Sequence, residues 1–379
     1  MRKFLYGLLL NCVCYFHCFS QSEYQIFKDS TTFNQEDTGK LTLEIDNLNY
    51  LRNYEYFGKI PLSYTLFGSQ LIPQIKYQVN PYFVVKAGIF LRREFGLNDF
   101  VSVMPVLTAK FQKKNLSFLI GTLEGSLNHR FIEPIYDLES IISDRIEQGT
   151  QLIINKKKIW LDWYIDWEKA IERYASYREE FTTGMSSRLR LISNERINLE
   201  IPLQIMLAHK GGQIDTSGLP VETLMNTAVG ASFNIKVDGS FLKAIRTEHF
   251  FAYYKDLSGS KLQLYKEGSG VYSSLTFKTK YFDIDARYWN GNRFFGPRGG
   301  ALYSSISEKV PGYGEKKREL IFLSFIYDKQ LFPNVFIDLR LEPYYDIKNK
   351  FTEYAYSVFL RFKKDFNLRR NSRLSEPGF

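Results

Sequence analysis

Between residues 335 and 342 the chain alternates without a break. Val335, Ile337, Leu339 and Leu341 fall on one side of an extended backbone, and Phe336, Asp338, Arg340 and Glu342 on the other. Successive side chains of a strand face opposite ways, so this segment has one aliphatic face and one that carries three charges. The same period returns in Ile197, Leu199, Ile201, Leu203, Ile205 and Leu207, in Ile159, Leu161, Trp163, Ile165 and Trp167, and in Phe83, Val85, Ala87, Ile89 and Leu91. The last segment sets Tyr354, Tyr356, Val358, Leu360 and Phe362 against Glu353, Ala355, Ser357, Phe359 and Arg361. The runs have the length a tilted strand needs to cross a hydrocarbon layer.

Sixteen such segments are expected, at 41–50, 66–79, 82–92, 101–113, 115–124, 147–155, 158–168, 180–192, 196–209, 223–237, 245–256, 269–279, 281–290, 318–330, 334–345 and 352–363, with fourteen to eighteen allowed by the boundaries. Their connections alternate in length. Asn80-Pro81, Lys114, Asn155-Lys156-Lys157, Ser193-Asn194-Glu195, Lys280 and Leu331-Phe332-Pro333 are tight, whereas 51–65, 125–146, 210–222, 257–268 and 291–317 are long. Short turns on one rim and long loops on the other mark an outer-membrane barrel. The fold class is therefore all-β, a transmembrane antiparallel β-barrel. A soluble β-sandwich, the competing architecture, alternates too, but with shorter strands and no systematic alternation of loop length.

Composition sharpens this. Aromatics reach 16%, with 32 Phe and 26 Tyr, at a mean hydropathy of only −0.26. Apolar residues are thus interleaved with polar ones, which excludes a helical membrane protein and a disordered chain. Aromatics such as Trp167, Tyr345 and Phe351 fall at strand ends, where amphipathic rings suit the membrane–water boundary. Arg2 and Lys3, then the apolar run from Phe4, then Ser20-Gln21 read as a secretory signal over 1–20. All three cysteines (Cys12, Cys14, Cys18) lie in it, so the mature chain offers no disulfide, thiol nucleophile or cysteine-ligated metal. Residues 21–40 read as a flexible periplasmic lead-in, 41–363 as the barrel, and 364–379 as a basic periplasmic tail. The net charge of +9 is spread through turns, with no stripe suited to nucleic acid.

The 125–146 loop is too apolar for a solvated tip: Ile132, Ile135 and Leu138 recur at helical spacing and must be buried somewhere. If the loop folds inward, Glu133, Asp137 and Glu139 face basic residues of the lumen wall, namely Lys86, Arg92, Arg188, Arg190, Arg287 and Arg340. Opposed charges across a constriction bias the passage of ions. A surface cap or partner contact is the other reading of the loop. The 291–317 loop is large enough to plug the lumen or recruit a partner. His129, His209 and His249 are the histidines left after cleavage. His209 near a strand's loop end, or His129 close to Ser126, are the candidates for a barrel lipase or deacylase. Neither has a recognisable spacing, and the chain is read as a non-enzyme. A metal site from His129, Glu133 and Asp137 needs that segment to be helical; no cofactor or metal is assigned.

The barrel plan resembles that of general diffusion porins, whose third surface loop folds into a sixteen-stranded wall. The Asn-His-Arg-Phe-Ile-Glu-Pro-Ile-Tyr-Asp stretch at 128–137, with Gly211-Gly212-Gln213-Ile214-Asp215, is similar to uncharacterised outer-membrane barrel proteins of Bacteroidota. The resemblance implies an outer-membrane address and no particular activity. The expected function is a porin-like channel for passive or weakly selective passage of small solutes, narrowed by the 125–146 loop. Behind it stand a structural or assembly barrel with a plugged lumen and, third, a barrel lipid hydrolase. Expected partners are outer-membrane lipids, small solutes, further copies of the chain, and periplasmic or surface proteins.

Overall fold

Sixteen strands close on themselves in a computed structural model that describes residues 25–212 and 214–369. In chain order they are β1 (Leu41–Glu55), β2 (Thr65–Asn80), β3 (Phe83–Glu94), β4 (Ser102–Lys113), β5 (Leu116–Thr122), β6 (Gln148–Asn155), β7 (Ile159–Lys169), β8 (Glu179–Ser193), β9 (Ile197–Gly211), β10 (Glu222–Lys236), β11 (Leu242–Asp256), β12 (Glu267–Thr279), β13 (Asp283–Asn292), β14 (Lys317–Phe332), β15 (Val335–Asp346) and β16 (Phe351–Arg369). Each strand pairs antiparallel with its sequence neighbours, and β1 closes on β16 from Leu41 opposite Arg369 to Glu55 opposite Tyr354. Closure leaves no unpaired sheet edge. The tight rim turns through left-handed residues such as Lys114 and Asn334. The barrel therefore matches the expected fold class, strand for strand.

The two faces of the wall differ as the alternation requires. Aliphatic side chains such as Leu107, Ile120 and Leu341 stand exposed on the outside, where lipid covers them. The inner face is polar and charged. Glu44, Asp46, Gln70, Arg188, Asp338 and Arg361 are all buried inside the lumen, and they pair with one another or with inserted segments.

Two loops fill the upper lumen. The chain leaves the wall at Gly121, whose φ of +98° suits glycine and where a Cβ would lie 2.1 Å from the Leu107 carbonyl oxygen. The segment from 123 to 147 then turns inward. Ile132, Ile135 and Tyr136 join Phe250, Trp289, Phe294, Tyr303, Phe322 and Tyr344 in one aromatic core. The 293–316 segment packs against it. Asp137 N–H donates to the Arg298 carbonyl (2.8 Å) and Gly300 N–H to the Glu133 carbonyl (2.9 Å). Gly299 permits this approach, since a Cβ there would meet the Pro134 oxygen at 1.9 Å. The helical spacing of Ile132, Ile135 and Leu138 misleads. All three are buried, but the α-helix of this loop is only Ser140–Ser143, because Pro134 interrupts the run and its backbone is taken up by the second loop.

The lead-in is docked rather than loose. Ile26 and Phe27 bury against Leu48, Ile142 and Phe359 inside the lumen, and Asp29 pairs with Arg361, Arg145 and Lys363. Its two apolar residues find an interior that a lead-in in solution lacks. At the other end β16 runs on through Arg369, past the expected boundary at 363. The signal over 1–20 and the last ten residues of the tail lie outside the described residues.

Candidate functional site

The lumen gathers most of the charge. Of the nine residues expected at a constriction, the structure brings Glu133 and Arg287 together in a direct ion pair, shared with the Tyr303 hydroxyl. Asp137 lies behind them. Burial, then the neighbouring Glu139, raises its carboxyl to a pKa of about 7. Glu139 accepts from the Tyr64 hydroxyl (2.6 Å). The remaining basic residues turn to acids of their own wall: Lys86 to Glu44 (2.8 Å), Arg92 to Glu94 (2.6 Å), Arg188 to Glu200 and Glu248 (3.4 and 3.0 Å), Arg190 to Glu200 (3.3 Å) and Arg340 to Asp338 (2.7 Å). A cavity of about 350 Å³ remains between the loop plug and the lead-in, lined by Arg130, Trp160, Arg188, Arg246, Glu248 and Tyr272 among others.

His129 is part of the plug's anchorage. It is fully buried, with Nδ1 2.8 Å from Asp162 Oδ2 and Nε2 2.6 Å from Glu147 Oε2, and its ring stacks on Tyr164 at 3.7 Å. Burial alone lowers an imidazole pKa; the two facing carboxylates outweigh it and raise His129 to about 10. It is a cation at neutral pH and unsuited to act as a base. Ser126 does not face it as a nucleophile: its N–H serves Glu147, and its hydroxyl makes no hydrogen bond. The His129, Glu133 and Asp137 metal arrangement does not form either, since the segment is not helical and Glu133 is held by Arg287.

The outer wall carries a different arrangement. On the outward face of β11, Thr247 and His249 sit among Ile245, Phe251 and Tyr253; on β12, Ser273 sits between Val271 and Leu275. The register sets His249 opposite Ser273. His249 Nδ1 is 3.0 Å from Ser273 Oγ, and its Nε2 is 3.0 Å from Thr247 Oγ1. The Thr247 hydroxyl donates its proton to the Ser274 carbonyl (2.9 Å). It has one proton, so toward the imidazole it accepts. That places the ring proton on Nε2 and leaves Nδ1 to accept from Ser273. The order is serine hydroxyl, imidazole base, orienting hydroxyl, which is the arrangement of an activated nucleophile.

The polar interruption continues upward. Tyr288 on β13 is the register partner of Ser273; its hydroxyl donates to Glu319 Oε1 (2.8 Å) and accepts from Asn290 Nδ2 (3.2 Å). At a rise of about 3.4 Å per residue and a tilt of about 40°, one residue climbs roughly 2.6 Å along the barrel axis. Tyr253, bonded to Glu267 (3.1 Å), thus lies about 10 Å above His249. Glu319 and Asn290 mark the boundary at the top of the aliphatic wall, and Ser273 lies just beneath it. Sequence reasoning missed this set. The available signal was the run Thr247, His249, Ser273 on faces otherwise given to lipid. A second outward pair, His209 Nδ1 with Thr223 Oγ1 (2.9 Å), stands at the rim beside Phe181. His209 has no orienting partner on its other nitrogen among the described residues.

Solved structures share the fold. The outer membrane protein OprD from Pseudomonas aeruginosa is 12% identical, aligning over 89% of this chain and 98% of its own at a TM-score of 0.51. OccD3 from the same organism is 9% identical over 90% and 96%, also at 0.51. A loop-deleted OmpT of Vibrio cholerae is 8% identical over 86% and 100%, at 0.52. At these identities the likeness is one of architecture, and with the closed wall it makes this chain a bacterial outer-membrane protein. None of the curated proteins matches it. A family model described as lipid A 3'-O-deacylase-type matches residues 33–371, nearly the whole of the described chain. This chain belongs to that family. The match corrects the expectation of a non-enzyme, which rested on finding no recognisable spacing around His129 or His209. In a barrel the spacing is set by register between strands, and sequence distance does not display it.

Proposed function

We propose that the protein is an ester hydrolase of the outer leaflet that removes an acyl chain from lipid A, with Ser273 as nucleophile, His249 as general base and Thr247 as the residue that orients the imidazole. The observation that carries the reading is the directed hydrogen-bond relay on the lipid-facing wall. A polar side chain facing hydrocarbon is costly and, where it persists, marks function. The relay lies in the upper part of the wall, near the level of acyl esters, where a lipid reaches it by lateral diffusion without entering the lumen.

The chemistry follows from the order of donors. Ser273 Oγ attacks the ester carbonyl as its proton passes to His249 Nδ1. The sugar oxygen leaves with that proton, and a water activated by the same nitrogen releases the fatty acid from the serine. Thr247 holds the ring and stabilises the transient imidazolium through Nε2. Purified protein with lipid A, followed by mass spectrometry of released fatty acid, tests this. Ser273→Ala and His249→Phe are expected to lose about 10³-fold or more in turnover, and Thr247→Val about 10-fold. Full activity in Ser273→Ala sinks the assignment, and loss in His209→Gln in its place moves the site to the rim.

A second reading, a solute channel, is favoured by the sixteen-stranded wall and the internal cavity. It weighs less because two loops and the lead-in occupy the lumen. Planar-bilayer conductance separates the two, with Glu133→Gln/Asp137→Asn altering ion selectivity if the charged plug lines an open path.

A further inference from the structure

We propose that the cavity between the loop plug and the lead-in is a binding site for a small organic anion, a carboxylate or a phosphate monoester, held by Arg188 and Arg246. It stands apart from the reading of Ser273 as a nucleophile, because both arginines lie buried on the inner face of the wall and that serine lies on the outer face.

The two arginines converge. Arg188 on β8 and Arg246 on β11 reach the same oxygen of Glu248, Oε1, at 3.0 and 2.5 Å. Their guanidiniums are thus held side by side although three ladders separate their strands. They are 4% and 7% exposed, and both line the cavity. The acids beside them are fewer than the bases. Arg188, Arg190 and Arg246 share Glu200 and Glu248, which sets three cations on two carboxylates. The other acids of the lining are committed elsewhere: Glu133 and Asp285 to Arg287, Asp162 to His129, Glu124 to Lys110 and Asp29 to Arg361. A buried charge short of a counter-ion is costly, and an anion in the cavity supplies one.

The donors lead to the same place. A guanidinium has five N–H groups. Among the described residues Arg188 spends only Nη1, on Glu200 and Glu248, and Arg246 only Nη2, on Glu248. Arg188 Nε is buried without a hydrogen-bond partner. The Ser274 side chain lines the cavity opposite Glu248 in the β11–β12 register, and its hydroxyl makes no hydrogen bond among the described residues. Two guanidiniums and a hydroxyl suit the oxygens of a carboxylate or a phosphate. The rest of the lining decides what the anion is attached to. Tyr272, two residues along β12 from Ser274, presents its ring to the cavity with Phe131 and Trp160. The volume of about 350 Å³ is that of a small-molecule site, with room for an apolar body beside the charged end.

The test is calorimetric titration of the detergent-folded full-length protein with phenylacetate, phenyl phosphate, inorganic phosphate and the neutral phenylacetamide. At least one of the two aromatic anions is expected to bind saturably, about 10-fold or more tighter than the amide and than inorganic phosphate. Which of the two binds tells carboxylate from phosphate. Arg246→Gln is expected to weaken that binding by about 10-fold or more, and Ser274→Leu, which fills the cavity and removes no charge, to abolish it. Each variant is first shown to run as the compact form on unheated gels; if Arg246→Gln does not, Ser274→Leu decides alone. No saturable binding of either aromatic anion, equal affinity for the amide, or binding unchanged in Ser274→Leu overturns the site. Inorganic phosphate bound as tightly as the aromatic anions overturns the organic body. No lipid A enters the titration, so a failure of the Ser273 assignment leaves its outcome untouched.

Discussion

Replacing His129 with Gln should undo the plug from its base. The wild-type imidazolium is shared between Glu147 and Asp162, each 1% exposed at the side chain. Its pKa rises from 6.5 to about 10 on folding. At about 1.4 kcal/mol per pKa unit, the charged form gains on the order of 5 kcal/mol from its surroundings. The sign follows from a raised folded pKa. The contribution is fully present below the unfolded value of 6.5, falls as pH rises above it, and is gone once the pH passes about 10. Glutamine keeps an N–H donor but not the second donating nitrogen or the charge, so it leaves two buried carboxylates facing each other.

The assay is trypsin cleavage of the folded protein between pH 6 and 11, read at Arg130 and Arg145 inside the plug. Wild type should resist at pH 6 to 8 and become cleavable as pH approaches 10, while the barrel itself still runs as the compact form on unheated gels. His129→Gln should be cleaved already at neutral pH, with a flat profile over the same range. Other groups titrate near pH 10, so the deciding quantity is the difference between the two proteins. If it is zero at pH 7, the imidazolium does not hold the plug.

Two further outcomes follow from the same electrostatics. Asp137 is held with its carboxyl pKa raised to about 7, by burial first and Glu139 second. It therefore weakens the plug as pH climbs from 3.8 through 7, and Asp137→Asn should slow plug proteolysis at pH 8 and do nothing at pH 4; a variant that speeds it at pH 8 refutes this. Asp29 is the opposite case. Burial opposes its charge, but Arg361, Lys363 and Arg145 hold its carboxyl well below the usual range. The lead-in should stay docked above pH 4 and loosen as acid protonates that carboxylate; Asp29→Asn should raise amide exchange around Ile26 and Phe27 at neutral pH by about 10-fold or more, and unchanged exchange counts against the latch.

How far the sequence carries depends on whether a feature is written along the chain or between chain segments. The wall was legible because Val335 to Glu342 and its fifteen counterparts each repeat a two-residue rule, and loop lengths fix which end is up. That the 125–146 loop is buried was legible from surplus apolar residues that had to go somewhere, while the choice between an inward fold and a surface cap was not. What these segments touch was not. Asp162 reaches His129 across the barrel interior, and Glu319 reaches Tyr288 through a register set by the 293–316 segment. Ile26 and Phe27 looked like part of a polar lead-in because two apolar residues among Gln, Ser and Asp do not announce the apolar patch that covers them at Leu48, Ile142 and Phe359.

The three histidines show how environment, not residue type, assigns the work. His129 lies between two carboxylates, is charged at every physiological pH, and can only hold. His209 stands at the rim with one hydroxyl partner and, among the described residues, nothing to fix its other nitrogen. His249 faces lipid with hydroxyls on both sides, one of which has committed its proton elsewhere. The Ser273 hydroxyl is the donor within hydrogen-bond reach of Nδ1, so the serine proton is the one that nitrogen is placed to take. An outer-membrane barrel that filled its lumen with loops would have little use for a polar cluster on its oily side unless the substrate arrives through the oil. That is the reason to look for the chemistry on the wall and not in the pore.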